Sequence, residues 1–279
     1  MDANDIRRNL EAEYDIPFVV QNTFEGGEPA FIIGPKDTGK ELFTIKLTFR
    51  NRVRLYMDFV PQKYSAGFIE SMSRQPEENR VRFLNYAKLL TSRGAKCDVS
   101  VNHSPINLEN SAFWPDNWND FRVHVTKMPI IEDGELDYAK AANEWGSILI
   151  GMILSLADIV PVEEDEPQRK GYAEGDVQKV EANRYERNPL NRKLCLLAKG
   201  YDCGICGMNF EKLYGEIGHH FIHVHHIVPV SKVGSGYVID PIKDLIPVCP
   251  NCHAMLHRSD PPLHPDQLIS IIQNDKRND

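Results

Sequence analysis

A chain of 279 residues with 42% apolar and 26% charged residues has the composition of a globular protein long enough for two domains. Its formal net charge of -8 excludes a globally basic nucleic-acid-binding surface, so contact with a polyanion has to come from local patches or from a bound cation. The polar start Met1-Asp-Ala-Asn-Asp-Ile-Arg-Arg reads as no targeting segment, and the apolar run Ile148 to Leu156 is far short of the roughly 20 residues of a membrane span. A reducing, cytoplasmic location is therefore expected, with Cys97 and Cys195 as buried free thiols.

In chain order, residues 1–14 suit a short helix, because Ile6, Leu10 and Tyr14 recur at four-residue spacing. Pro29 to Ile33 and Glu41 to Phe49 read as strands around a Gly- and Pro-bearing turn. That turn, Gly34 to Lys40, follows a phosphate-loop pattern until Glu41 stands where Ser or Thr should hold magnesium; an ATPase is excluded. Arg52 to Val60 is a third strand, and Pro76-Glu77 opens a helix that runs to about Arg93 and stops at Gly94. Strands are expected again at Ala95 to Val101 and Phe121 to Lys127, then a long helix from Leu136 to Ile159. Strands followed by helices, with no internal repeat, predict an α+β domain with a mostly antiparallel sheet over residues 1–160, serving target recognition or sensing. Its loop Phe113-Trp114-Pro115-Asp116-Asn117-Trp118 has two readings. Trp114 and Trp118 either stack on a flipped or modified base, or, the commoner role, cap the edge of the sheet.

The acidic, Pro-bearing stretch from Val160 to Lys170 lacks apolar periodicity, which predicts a linker over residues 161–178 and a second domain over 179–279. Asn188-Pro189 then starts a helix, Asn as cap and Pro at the first helical position, with Leu190, Leu194 and Leu197 inward and Gly200 as its stop. Arg184, Arg187, Arg192 and Lys193 are candidates for phosphate-backbone contacts, with solvated surface charge as the alternative.

The densest chemistry runs from Cys203 to His257. Cys203-Gly-Ile-Cys206 and Cys249-Pro-Asn-Cys252 are paired knuckles at the ligand spacing of one tetrahedral zinc ion. Two disulfides or four inert thiols are the alternatives, and the expected reducing compartment disfavours the first. Four thiolates close a zinc shell, so this ion would be structural and a second site must carry the reaction. Phe221 to Val230 reads as a strand leaving into a loop at Pro229, with His225 and His226 on opposite sides. His253 and His257, four apart, share one face of a helix. Three imidazoles to hold a cation and one to accept a proton from water make a hydrolytic set.

These residues resemble the HNH endonucleases, with their ββα-metal fold, and in particular the zinc-containing McrA-like restriction subgroup, which shares the Cys-Pro-Asn-Cys-His ending. The resemblance implies that His225 is a metal ligand, His226 the general base, Asp244 the counterpart of the middle Asn, and His253 and His257 the helix histidines. Two departures stand out. Asp244 accepts hydrogen bonds but cannot donate as an amide does, and His223 occupies a place where many relatives carry an acid. The resemblance further implies a structural Zn2+, a catalytic Mg2+, Mn2+ or Ni2+, and DNA, including modified DNA, as substrate for a defence enzyme. A nuclease gated by an N-terminal signal or protein sensor is a second reading, and a non-catalytic zinc-knuckle module a third. Cutting both strands is compatible with a homodimer, which no symmetric feature marks.

Overall fold

The computed structural model describes residues 1–36, 42–62, 66–130, 136–157, 189–227, 237–259 and 261–275. The expected linker at 161–178, Arg184 and Arg187, and most of the Gly34 to Lys40 turn lie outside the described residues.

The first helix, α1 (Ala3–Tyr14), begins in a capping box: the Asp2 carboxylate accepts from the Asn4 and Asp5 amides, while Asp5 accepts from the Asp2 amide. Ile6, Leu10 and Tyr14 are all buried, as their spacing requires. β1 (Phe18–Glu25) and β2 (Glu28–Pro35) form a hairpin closed by Gly26 and Gly27, both at positive φ (62° and 84°), where side chains would be strained. β3 (Phe43–Arg50) and β4 (Arg54–Pro61) pair next, and the Glu28 carboxylate accepts from the turn amides of Asn51 and Arg52 at 2.7 and 2.8 Å. Then follow α2 (Ala66–Ser73), α3 (Glu77–Ser92), β5 (Ala95–Val101), the short β6 (Ser104–Pro105), β7 (Phe121–Lys127) and α4 (Tyr138–Leu154).

The strands form one seven-stranded sheet in the order β1-β2-β3-β4-β7-β5-β6, every pairing antiparallel. Alternation decides which face is covered. Ile45, Leu47 and Phe49 of β3, Leu55 and Met57 of β4, and Val123 and Val125 of β7 turn inward, while Lys46, Arg54 and Arg122 stay on the open face. α1, α3 and α4 fill the inner face, and α4 comes so close that a Cβ on Gly146 would lie 3.3 Å from the Ile33 side chain. The α+β class with a mostly antiparallel sheet is as the sequence indicates; β1 and α2 are additions that it did not reveal.

The second half is built from α5 (Pro189–Lys199), α6 (Phe210–Tyr214), β8 (His223–His226), β9 (Leu245–Val248), α7 (Pro250–Leu256) and α8 (Pro265–Asp275). β8 and β9 are an antiparallel pair and α7 packs against β8, giving a ββα unit. α5 stands between the halves. It contacts α1, α3, α4 and β9, and it buries Leu194 in the first core and Leu196 in the second. Its cations fasten the hairpin: Arg192 donates to the Ile222 carbonyl at 2.8 Å and Lys199 to the Leu245 carbonyl at 2.5 Å. No helix among the described residues is long and apolar enough to cross a membrane.

A candidate active site beside a four-cysteine cluster

The four knuckle cysteines come together because backbone bonds bend both ends of the segment around them. Gly207, at φ 76°, donates to the Cys203 carbonyl at 2.8 Å, and the Cys203 amide donates to Met208 at the same distance. Gly204 donates to the Pro247 carbonyl at 2.9 Å, tying the first knuckle to β9; a Cβ there would lie 2.8 Å from Ile246. Cys249 caps α7, its sulfur accepting from the Cys252 amide at 3.3 Å, with Pro250 in the first turn. The sulfurs of Cys203, Cys206, Cys249 and Cys252 all lie within 4.8 Å of one another, positioned to hold a metal ion. All six cysteines are free thiols, which sets aside disulfides. Zinc–sulfur bonds of about 2.3 Å in a tetrahedron set sulfurs roughly 3.8 Å apart. The Cys206–Cys249 separation is 3.8 Å, so the donor set fits zinc in kind and in spacing.

The second cluster is made of imidazoles. β8 carries His225 and α7 carries His253, with His257 as its C-cap residue, and one nitrogen of each lies within 4.8 Å of the others. The rings meet edge to face at 4.9 to 5.3 Å between centroids. His225 is 3% exposed, and its Nδ1 has no hydrogen-bond partner among the described residues. Burial, reinforced by His253, His257 and His226, pushes the His225 pKa down to about 4. A buried neutral imidazole with an unsatisfied nitrogen facing two more imidazoles is a donor set that a divalent cation would complete. His226, next along β8 and half-buried, projects from the other side of the strand.

Asp244 stands apart from the imidazole cluster. Its carboxylate accepts from the Tyr237 hydroxyl at 2.8 Å and the Asp240 amide at 2.7 Å, and its carbonyl accepts from the Ile227 amide at 2.8 Å. The Asp244 carboxylate in turn raises the Tyr237 pKa. Asp244 therefore braces the loop that ends at β9 and pins the chain directly after His226. Acceptance alone does this, so the missing amide donor costs nothing here.

Other expected residues lie elsewhere. Trp114 and Trp118 are in the core, 5% and 3% exposed, with their indole N–H groups donating to Asn107 and Pro115 carbonyls. Trp114 meets Phe83 edge to face and Trp118 stacks on Phe121, so neither ring offers an open face. Lys193 is buried and paired with Glu13 at 2.5 Å rather than placed along a surface. Sequence reasoning passed over two contacts. Tyr237 braces Asp244, which a strand or helix period does not foretell. His223 reaches His253, Nδ1 to Nδ1, at 3.2 Å, for which its position two residues before His225 on β8 was the available signal.

Three clustered imidazoles on a ββα unit, with His225 buried and His257 exposed, next to four gathered thiols, make the arrangement of a nuclease-class hydrolase with two places that could hold a metal ion. Residues 203–259 match the HNH endonuclease family, so this part of the chain is an HNH endonuclease domain and the protein is an endonuclease. The chain is also 28% identical over 210 residues, 74% of its own length and 69% of the relative's, to the type IV methyl-directed restriction enzyme EcoKMcrA of Escherichia coli strain K12. No solved structure matches it significantly.

Proposed function

We propose that the protein is a restriction endonuclease in which the HNH domain hydrolyses phosphodiester bonds of DNA and the α+β domain of residues 1–160 selects DNA carrying a modified base. The observation that carries this reading is the extent of the similarity to the methyl-directed enzyme. An alignment of 210 residues is about twice as long as the segment 179–279, so it reaches well into the N-terminal half, beyond the HNH match. A shared nuclease module alone would leave the selecting half unmatched.

Cys203, Cys206, Cys249 and Cys252 would hold a structural zinc. His225, His253 and His257 would hold a divalent cation such as Mg2+, Mn2+ or Ni2+, which supplies positive charge to the phosphate. His226, on the opposite side of β8, takes the proton of the attacking water, and Asp244 keeps it in place through the Ile227 amide. Arg184, Arg187 and Arg192 serve phosphate contact, whereas the Lys193 ammonium belongs to Glu13. The location is cytoplasmic, and cutting both strands calls for a homodimer.

Digestion of matched methylated and unmethylated plasmids with each of the three cations tests this. Cleavage confined to the methylated plasmid is expected; equal cleavage of both would reject the selective role.

A further inference from the structure

Resting on the three-imidazole centre just described, we propose that His223 is a positioning residue for His253, accepting the His253 Nδ1–H so that Nε2 keeps its lone pair for the cation. Two ring nitrogens at 3.2 Å need one hydrogen between them, and which ring carries it fixes the tautomer of both. His253 Nε2 is buried, while the His253 ring meets His225 and His257 at 5.3 and 4.9 Å. Nδ1 faces His223, on the outer side of the cluster. With the hydrogen on Nδ1, His253 presents a bare Nε2 inward; with the hydrogen supplied by His223, Nε2 is protonated and useless as a ligand. Ligating imidazoles generally donate their second nitrogen to an outer acceptor, which sets ring orientation and raises donor strength. Here an imidazole fills the acceptor role that a carboxylate or carbonyl usually fills.

The mounting of His223 suits that task. It is the first residue of β8, in register with Val248, which directly precedes Cys249 and its gathered thiols. His225, two residues on, shares its side of the strand, so His223 and His225 reach α7 together. The Phe221 ring lies edge to face with the His223 ring at 6.1 Å. A strand histidine that merely faces solvent would show neither the nitrogen contact nor the aromatic contact.

The test is calorimetric titration of the full-length, zinc-replete chain with Ni2+. His223→Ala should weaken Ni2+ binding by about 10- to 100-fold while the melting temperature and zinc content stay unchanged. His223→Glu, which restores an acceptor, should recover the affinity, and His223→Lys, which only donates, should not. His225→Ala is the control for the centre itself. If it leaves Ni2+ binding intact, the three-imidazole reading falls and this inference with it. If His225→Ala abolishes binding while His223→Ala matches the unaltered chain, only the role of His223 is overturned. A count of four imidazoles around bound Ni2+ by X-ray absorption would also overturn it, making His223 a ligand instead.

Discussion

The ammonium of Lys193 on α5 sits 2.5 Å from the carboxylate of Glu13 on α1, with both side chains largely buried at 6% and 14% exposure. Ser147 of α4 donates to the other Glu13 oxygen at 2.6 Å, so one carboxylate joins three helices. Around it, Arg82 donates to Asn191, Arg93 to the Leu197 carbonyl and Tyr86 to the Leu190 carbonyl. Desolvation lowers the Lys193 pKa even though Glu13 opposes the shift. α5 is thereby anchored to the N-terminal half by buried polar contacts, while Arg192 and Lys199 carry that anchorage to the strands bearing the histidines.

Glu13→Ala should therefore cost about 3–5 kcal/mol, because it leaves an ammonium buried without its counter-charge. Denaturant unfolding measures the loss. A double replacement, Glu13→Leu with Lys193→Met, should return most of it, since an apolar pair of similar volume needs no desolvation of charge. If Glu13→Ala is neutral, the pair is not buried in solution.

Stability should fall as pH rises above 9. Burial pushes the Cys97 thiol up to about 12 and Cys195 up to about 11, from an ordinary value of 9.0. Between those values the unfolded chain has released both protons and the native chain holds them, so unfolding is favoured by about 1.4 kcal/mol per pH unit per group. The phenols of Tyr14 and Tyr86, both raised by burial, act in the same direction. Tyr201 and Tyr237, also raised, add to this, while Lys193, with its lowered pKa, acts oppositely. Urea midpoints from pH 8 to 11 check this, and a flat profile would contradict the burial of these groups.

The thiol cluster leads to a compositional expectation. Elemental analysis of the purified chain should find one zinc per chain, and Cys249→Ser should lose it even though a serine hydroxyl can still cap α7. Since structural zinc contributes on the order of 10–16 kcal/mol, the ββα unit of that variant should be open to protease while the seven-stranded sheet resists. Retained zinc and resistance in Cys249→Ser would refute the assignment.

The site was more legible in the sequence than the way the halves join. Cysteine pairs two residues apart, and His253 and His257 four apart, declare shared ligands because knuckle and helix geometry fix those spacings locally. The three inward residues of α1 were legible for the same reason. The role of α5 was not: an amphipathic helix announces an apolar stripe but not that Leu194 and Leu196 enter different cores. β1 escaped notice because Val19 and Phe24 are 37% and 73% exposed and blur the two-residue alternation, although Gly26-Gly27 marks its turn. Trp114 and Trp118 were legible only as two alternatives, a base-stacking pair or a cap on the sheet. A polar loop surrounds them in sequence, yet Phe83 and Phe121 take both rings inward. Lys193 looked like surface charge because the carboxylate that buries it, Glu13, lies far back in the chain.

His226 and Asp244 separate chemistry from bracing. On the proposed mechanism His226→Ala removes only the proton acceptor, so cleavage should fall by about 10²- to 10⁴-fold while zinc content and Ni2+ affinity hold. His225→Ala should lose the affinity as well, because its imidazole is the buried member of the three-imidazole cluster. Asp244→Asn should stay close to the unaltered chain, since the amide oxygen still accepts from Tyr237 and Asp240. Asp244→Ala frees that loop and should lower turnover without moving Ni2+ affinity, and the loss should be smaller than for His226→Ala, whose acceptor is gone altogether. Single-turnover cleavage of one methylated duplex by the four variants gives the order. Undiminished turnover in His226→Ala would reassign the base, and a loss of Ni2+ affinity in Asp244→Asn would make Asp244 a ligand rather than a brace.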